Sequence, residues 1–418
     1  MKPFINQQRL RNYPLIILFT MMATLILNLL FHEGWYGAAG QIIGGDFLAQ
    51  YSGGLLYRQH PEQLYDFNAQ FIIQQSIVEP TSLWGVNIYT YPPYVALIHS
   101  VTTYLPYLPA FLLRTLLTIS YSLLACYLIY RYLLPHYVKD SNLTTRQTAI
   151  LTFSFMPFVV GLQMGQNHGL TLFLITGILA AILCDKWLIA GILCGFLLYK
   201  PQFALGFLVI FLMWGQFKAI ALTALIGLGW NAIVWIQNGD DIFSKYLQVT
   251  PQLLQLPYLE GAGGEMQVTP YGLLVSLLPQ HYWTVVFNVY KLWLLMLLII
   301  LAFFSFQYRN KPIRERIPVL ILAALFGLVT APHSLVHELV IFIPIFALCA
   351  WMSNSRTLLY LIIAVYLGIL LLIPLSYQLG IALLAFIPIG SFFAILFFII
   401  RQNSLLSEPD SLGQESIK

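Results

Sequence analysis

A chain of 418 residues with 59% hydrophobic, 15% aromatic and only 9% charged residues cannot cover itself with polar surface, since a soluble domain carries about a quarter charged residues. Its formal charge of +4 comes without a basic stripe, which argues against a nucleic-acid partner. Its apolar runs reach the roughly 20 residues needed to cross a bilayer, so the composition predicts an all-α polytopic membrane protein.

The first predicted span is 14–31. Lys2, Arg9 and Arg11 precede it and no small-residue cleavage site follows, so it reads as an uncleaved span with the N-terminus in the cytoplasm. Residues 32–108 then form a first outer loop. Within it, 92–107 ("PPYVALIHSVTTYLPY") is short and bounded by Pro. A crossing there would turn every later basic loop outward, so it is read as a re-entrant or interfacial helix. The next span, 109–130, ends in Arg131, Lys139 and Arg146. Alternating spans follow at 148–163, 168–184, 187–199, 202–215, 218–236, 282–306, 317–331, 336–352, 357–374 and 379–400. Together they predict about twelve spans in a single membrane domain, 1–401, with both termini inside. Residues 237–281 form a second long outer loop, and 402–418 a polar, disordered cytoplasmic tail. All but five of the 20 Lys and Arg fall inside (Arg58, Arg114, Lys200, Lys245 and Lys291 do not), and ten of the 16 Asp and Glu fall outside. Cys126, Cys184, Cys194 and Cys349 lie in apolar runs without metal-ligand spacing and read as small buried hydrophobes.

On this topology the unusual polar residues share the outer face. They are Asp46 in "IIGGDFLAQYSGG", Tyr91 in "YTYPPY", Gln166, Asn167 and His168 in "GQNHG", Lys200 and Gln202 in "KPQ", and His333, His337 and Glu338 in "PHSLVHE". Each has a plain structural reading. Asp46 would cap a helix after the Gly turn, and Gln166-Asn167-His168 would cap the helix starting near 168. Lys200 would snorkel to the interface, and His333 would be a loop histidine. A cation, amides, imidazoles and a carboxylate at one membrane depth nevertheless point to function, because such groups are costly there.

The chemistry open to this set is specific. Lys200, His333 and amide donors can hold a phosphate, and a separate carboxylate can take a proton from an attacking hydroxyl. That combination fits transfer of a sugar from a lipid phosphate. Phosphate-loop, zinc-helix and nucleophile-elbow motifs are absent from the sequence. Asp46 with Glu260 or Glu265 would be the only acidic set for a divalent ion, and no tight acidic pair in the first loop demands one, so no metal or other cofactor is expected. The competing class is a transporter or flippase of lipid-linked saccharides. It calls for internal repeats and broken helices at mid-membrane, and no inverted repeat is visible.

The ordered set "GGDFLAQYSGGLLYRQHPEQLYD", "YTYPPYVALI", "LQMGQNHGLTLFL", "LLYKPQFALGFL" and "TAPHSLVHELVIFIPIF" resembles glycosyltransferase family 87, over about residues 14–350. The resemblance implies a GT-C-like helical bundle in the cytoplasmic (inner) membrane, with interfacial helices in the first outer loop and an active site on the periplasmic or extracellular face. It implies a polyprenyl-phosphate sugar donor, mannose by default, and a lipid or glycan acceptor among the membrane lipids. Asp46 would be the general base, with Lys200 near and His333 in contact with the donor phosphate. Gln166 and Asn167 would line the donor site. His337 and Glu338 follow the Pro-His element at a spacing that agrees only roughly with relatives.

Overall fold

The computed structural model describes residues 7–38, 40–135, 144–253, 264–353 and 355–407, and these are helical with no β-strand among them. Glu260 lies outside them. Helix α1 (Gln7–Leu30) is the first long apolar helix. A short loop leads to α2 (Gly45–Gln59) and α3 (Phe67–Val78). Next come α4 (Pro93–Ser100), a 3₁₀ turn over Val101–Tyr104, and α5 (Tyr107–Leu128), which continues through a π turn to Leu133.

The middle of the chain is a run of shorter helices. They are α6 (Thr145–Phe153), α7 (Met156–Met164), α8 (His168–Leu183), α9 (Trp187–Leu197), α10 (Pro201–Met213) and α11 (Phe217–Asn238). After α12 (Asp241–Leu253) and α13 (Pro270–Leu277) the long α14 (Trp283–Tyr308) and α15 (Ile313–Thr330) return through the bundle. A 3₁₀ turn, Val336–Ile341, runs into α16 (Phe342–Cys349). The chain then continues through α17 (Ser355–Leu379) and α18 (Phe386–Ser407).

The core sits on α15, which is buried on every side from Ile317 to Thr330. A helix apolar all round belongs inside a bundle. Around it α14 keeps an exposed apolar stripe, Leu292, Leu295, Ile299, Phe303 and Phe306, at helical spacing, the face a lipid-facing helix presents. By length and composition six helices are able to cross a membrane, or seven if the bent pair α6–α7 is one span. The shorter α8, α9 and α10 have 16, 11 and 13 residues; at about 1.5 Å rise per residue they reach only about 16–24 Å. The expected twelve crossings therefore rest on helices too short to span by themselves.

Several expected elements differ in detail. The span 148–163 is two helices bent by 66° at Ser154–Phe155, where Pro157 in the first turn of α7 prevents one continuous helix. The stretch 336–352 begins as 3₁₀ rather than α-helix. The first residues of the predicted tail, to Ser407, continue α18, and the rest lie outside the described residues. Cys126, Cys194 and Cys349 are buried, but Cys184 is exposed, because it falls in the turn that joins α8 to α9.

Two features of α2 and α4 position the site. α4 is eight residues long, about 12 Å at helical rise, and packs on α2 and α11. Close approach needs the "SGG" of α2: a Cβ on Gly54 would sit 2.6 Å from the His99 carbonyl carbon, and one on Gly53 2.5 Å from the Tyr89 ring.

Candidate active site

Asp46 lies in the first turn of α2 and is not its cap. The cap is Gly44, at φ 68°, with no side-chain cap bond, a left-handed conformation that glycine adopts freely. The Gly44 N–H donates to the Gln163 carbonyl at 3.2 Å, and the Tyr107 hydroxyl donates to the Gly44 carbonyl at 3.0 Å. The turn is thus tied to α7 and α5. The facing turn, at the end of α7, uses Gly165 at φ 69°, and a Cβ there would meet the Phe47 side chain at 2.5 Å. Two glycine turns in contact bring Gln166 to Asp46: the Gln166 amide donates to the carboxylate at 2.8 Å. Asn167 is the cap position of α8, yet its side chain makes no cap bond. The capping readings of Asp46 and of Gln166-Asn167-His168 therefore fail.

One turn along α2, Gln50 shares the Asp46 face. It accepts from the Arg114 guanidinium of α5 at 2.8 Å. Sequence reasoning treated Arg114 only as an outward charge and passed over Gln50. The available signal was an ionisable residue seven positions into a long apolar helix.

Lys200 joins α9 to α10 and is 5% exposed. It does not snorkel. Its ammonium pairs with the Glu338 carboxylate, which also lies 3.3 Å from the His337 Nε2. Burial acts to lower the Lys200 pKa, but Glu338 beside it outweighs that and holds the ammonium above its ordinary value. The second Glu338 oxygen makes no hydrogen bond among the described residues. Tyr199, beside Lys200, shares a 2.6 Å hydrogen bond with Thr171 and so pins the end of α9 to the start of α8.

His333 is held from the 264–269 segment. The Ser334 N–H donates to the Gln267 side-chain oxygen at 3.0 Å, and the Val268 N–H donates to the Ser334 carbonyl at 2.9 Å. With its oxygen engaged, Gln267 presents its NH₂ to His333 Nδ1 at 2.7 Å. His333 then carries its proton on Nε2. Burial pulls its pKa down to about 4, so the ring is neutral at pH 7. Gln267 carried no signal in the sequence.

Tyr91 ties the two halves together. Its hydroxyl lies within electrostatic range of Lys200, Glu338, Asp46 and Arg114 alike, and its carbonyl accepts from the Tyr65 hydroxyl at 2.9 Å. His168 is fully buried, edge-on to Phe158 at 4.9 Å and 6.4 Å from His337, and neither ring nitrogen is hydrogen-bonded among the described residues. Gln202 is half-buried in the first turn of α10, and its side chain joins no hydrogen bond among the described residues. No cluster of three or more His, Cys, Asp or Glu among the described residues is placed to hold a metal.

A carboxylate held by an amide, a guanidinium held by an amide and a buried ion pair thus lie within electrostatic range of Tyr91, and a neutral imidazole lies within range of that ion pair. Such a set can accept one proton and stabilise one anion. The model of the family described as glycosyltransferase family 87 matches residues 89–332. The match takes in Tyr91, Arg114, Gln166, Lys200 and Gln267; Asp46 lies well before its start, and His333 directly follows its end. No curated protein and no solved structure matches the chain.

Proposed function

We propose, since the chain belongs to glycosyltransferase family 87, that it transfers a sugar, mannose by default, from a polyprenyl phosphate to a hydroxyl of a lipid or glycan. The protein is a membrane glycosyltransferase; the donor, the acceptor and the stereochemistry are our reading. In it, the acceptor oxygen attacks the anomeric carbon from the side opposite the phosphate and gives its proton to Asp46. The anomeric carbon–oxygen bond to the phosphate breaks, and its electron pair leaves on the polyprenyl phosphate. The anomeric configuration inverts.

The observation that carries the reading is the state of Asp46. Its carboxylate is held by the Gln166 amide and joins no ion pair among the described residues, so a lone pair stays free for a hydroxyl proton. His333 donates from Nε2 and Lys200 from its ammonium as charge grows on the departing phosphate, the stabilisation that counts most in such transfers. Gln166, Asn167, His168, Gln202, Tyr91, His337 and Glu338 form the walls around donor and acceptor. Metal is not required, because the phosphate charge is met by protein donors. The charge distribution supports a site on the face opposite the cytosol, in the cytoplasmic membrane, with both termini on the cytosolic side.

The test is transfer by the purified protein from radiolabelled polyprenyl-phosphate mannose into membrane lipid extract, with and without EDTA. Transfer with an inverted anomeric centre, at the same rate in EDTA, is expected. Transfer only from a nucleotide sugar, or transfer with retention, would contradict the proposal.

A further inference from the structure

Charge is committed unevenly in this site. Lys200 faces Glu338, so those two are neutral as a unit, and His333 is uncharged at pH 7. Arg114 differs. Its only hydrogen-bond partner in the site is a neutral amide, Gln50, and it joins no ion pair among the described residues.

Arg114 lies seven residues into α5, about 10 Å along the helix. It is on the inward side: Ala110, Thr118 and Ser122, one or two turns away, are buried, while Leu112, Leu113, Leu116 and Leu117 are exposed. The guanidinium is within electrostatic range of Tyr91, Tyr199 and His168, all members of the polar cluster. A guanidinium in such a place is costly unless an anion meets it. Two donors there are buried and make no hydrogen bond among the described residues: Arg114 Nε and the Gln50 amide nitrogen, the latter on a side chain 1% exposed. A charged planar fork beside an amide donor is the pattern that phosphate oxygens satisfy.

We propose that Arg114 and Gln50 bind the phosphate of the lipid-linked sugar donor, Arg114 supplying the net positive charge that the Lys200–Glu338 pair lacks. This rests on the reading of the donor as a polyprenyl-phosphate sugar. The phosphodiester of an acceptor lipid has the same chemistry. The donor is favoured because Gln50 and Asp46 stand four residues apart on one helix face, about 6 Å of rise. That separation suits a base on one side of a sugar ring and the departing phosphate on the other.

The experiment measures binding of polyprenyl phosphate to the full-length protein in nanodiscs, with the uncharged polyprenol as control. Variants are Arg114→Gln, Arg114→Lys and Gln50→Glu. Gln50→Glu sets a carboxylate against the guanidinium, so it should fold at least as well as wild type even if Arg114→Gln does not. At least tenfold weaker binding of polyprenyl phosphate is expected for Arg114→Gln and Gln50→Glu, with a smaller loss for Arg114→Lys and no change for polyprenol. In transfer assays the donor KM should rise while the acceptor KM stays. Unchanged polyprenyl phosphate binding in folded Gln50→Glu and Arg114→Gln would overturn the assignment and leave the proposed activity standing. A rise in the acceptor KM alone would also overturn it, giving the guanidinium to the acceptor. If wild type bound no polyprenyl phosphate, the donor reading would fall and this inference with it.

Discussion

Asp46 and Lys200 show how burial and partner choice decide what a charged residue does. Both stand in short polar motifs, yet one carboxylate is held by an amide while the ammonium is locked to another carboxylate. A buried ion pair is weak evidence for stability, but removing one partner leaves the other charged and unsolvated. Lys200→Met or Glu338→Met alone should therefore destabilise the protein by about 3–5 kcal/mol, and the double variant should recover most of that loss. Thermal unfolding in detergent, with the four proteins compared as a double-mutant cycle, reads the outcome; additive losses would show that the two side chains are not a pair. At this scale the sequence announced Asp46, Lys200 and His333 by residue type and position. It could not announce Gln50 or Gln267, because a glutamine's role is set wholly by what folds against it. Arg114 was visible as a charge, but its inward face depends on how α5 packs.

The helices are held close by small residues, the usual device where lipid removes the hydrophobic drive for helix association. Gly206 in α10 makes the closest approach to backbone among the described glycines: a Cβ there would fall inside van der Waals contact of the Ala323 carbonyl oxygen on α15. Backbone cannot yield as a flexible side chain does, so Gly206→Ala should destabilise by about 1–3 kcal/mol. Gly229 in α11 has nothing within 4 Å of its Cβ position, and Gly229→Ala should be neutral or stabilising through helix propensity. Equal effects of the two variants on the unfolding midpoint would refute the close approach of α10 and α15. Element positions were largely legible, since long apolar runs mark α1, α5, α11, α14, α17 and α18. The break between α6 and α7 was missed because the bend comes from Pro157 and the packing of two short helices, while the apolar pattern runs on through 148–163.

For the molecule as a whole, hydropathy established a membrane bundle but not the number of crossings. A fully buried helix such as α15 and a short one such as α9 look the same in sequence as spans, because burial in protein and burial in lipid ask for the same residues. The fold gathers distant segments whatever the number of crossings: α2, the Tyr91 loop, the start of α8, the α9–α10 junction, the 264–269 segment and the turn after α15 meet around one cluster. The catalytic proposal depends on that meeting and on one carboxylate within it. The measurement to make is therefore the rate of sugar transfer from polyprenyl-phosphate mannose by wild type and by Asp46→Asn, with folding of both checked by thermal unfolding. The base role predicts at least a hundredfold fall in kcat with little change in donor KM, in line with the roughly 10²–10⁴ that a positioned base contributes. A folded Asp46→Asn protein that transfers sugar at the wild-type rate would contradict it.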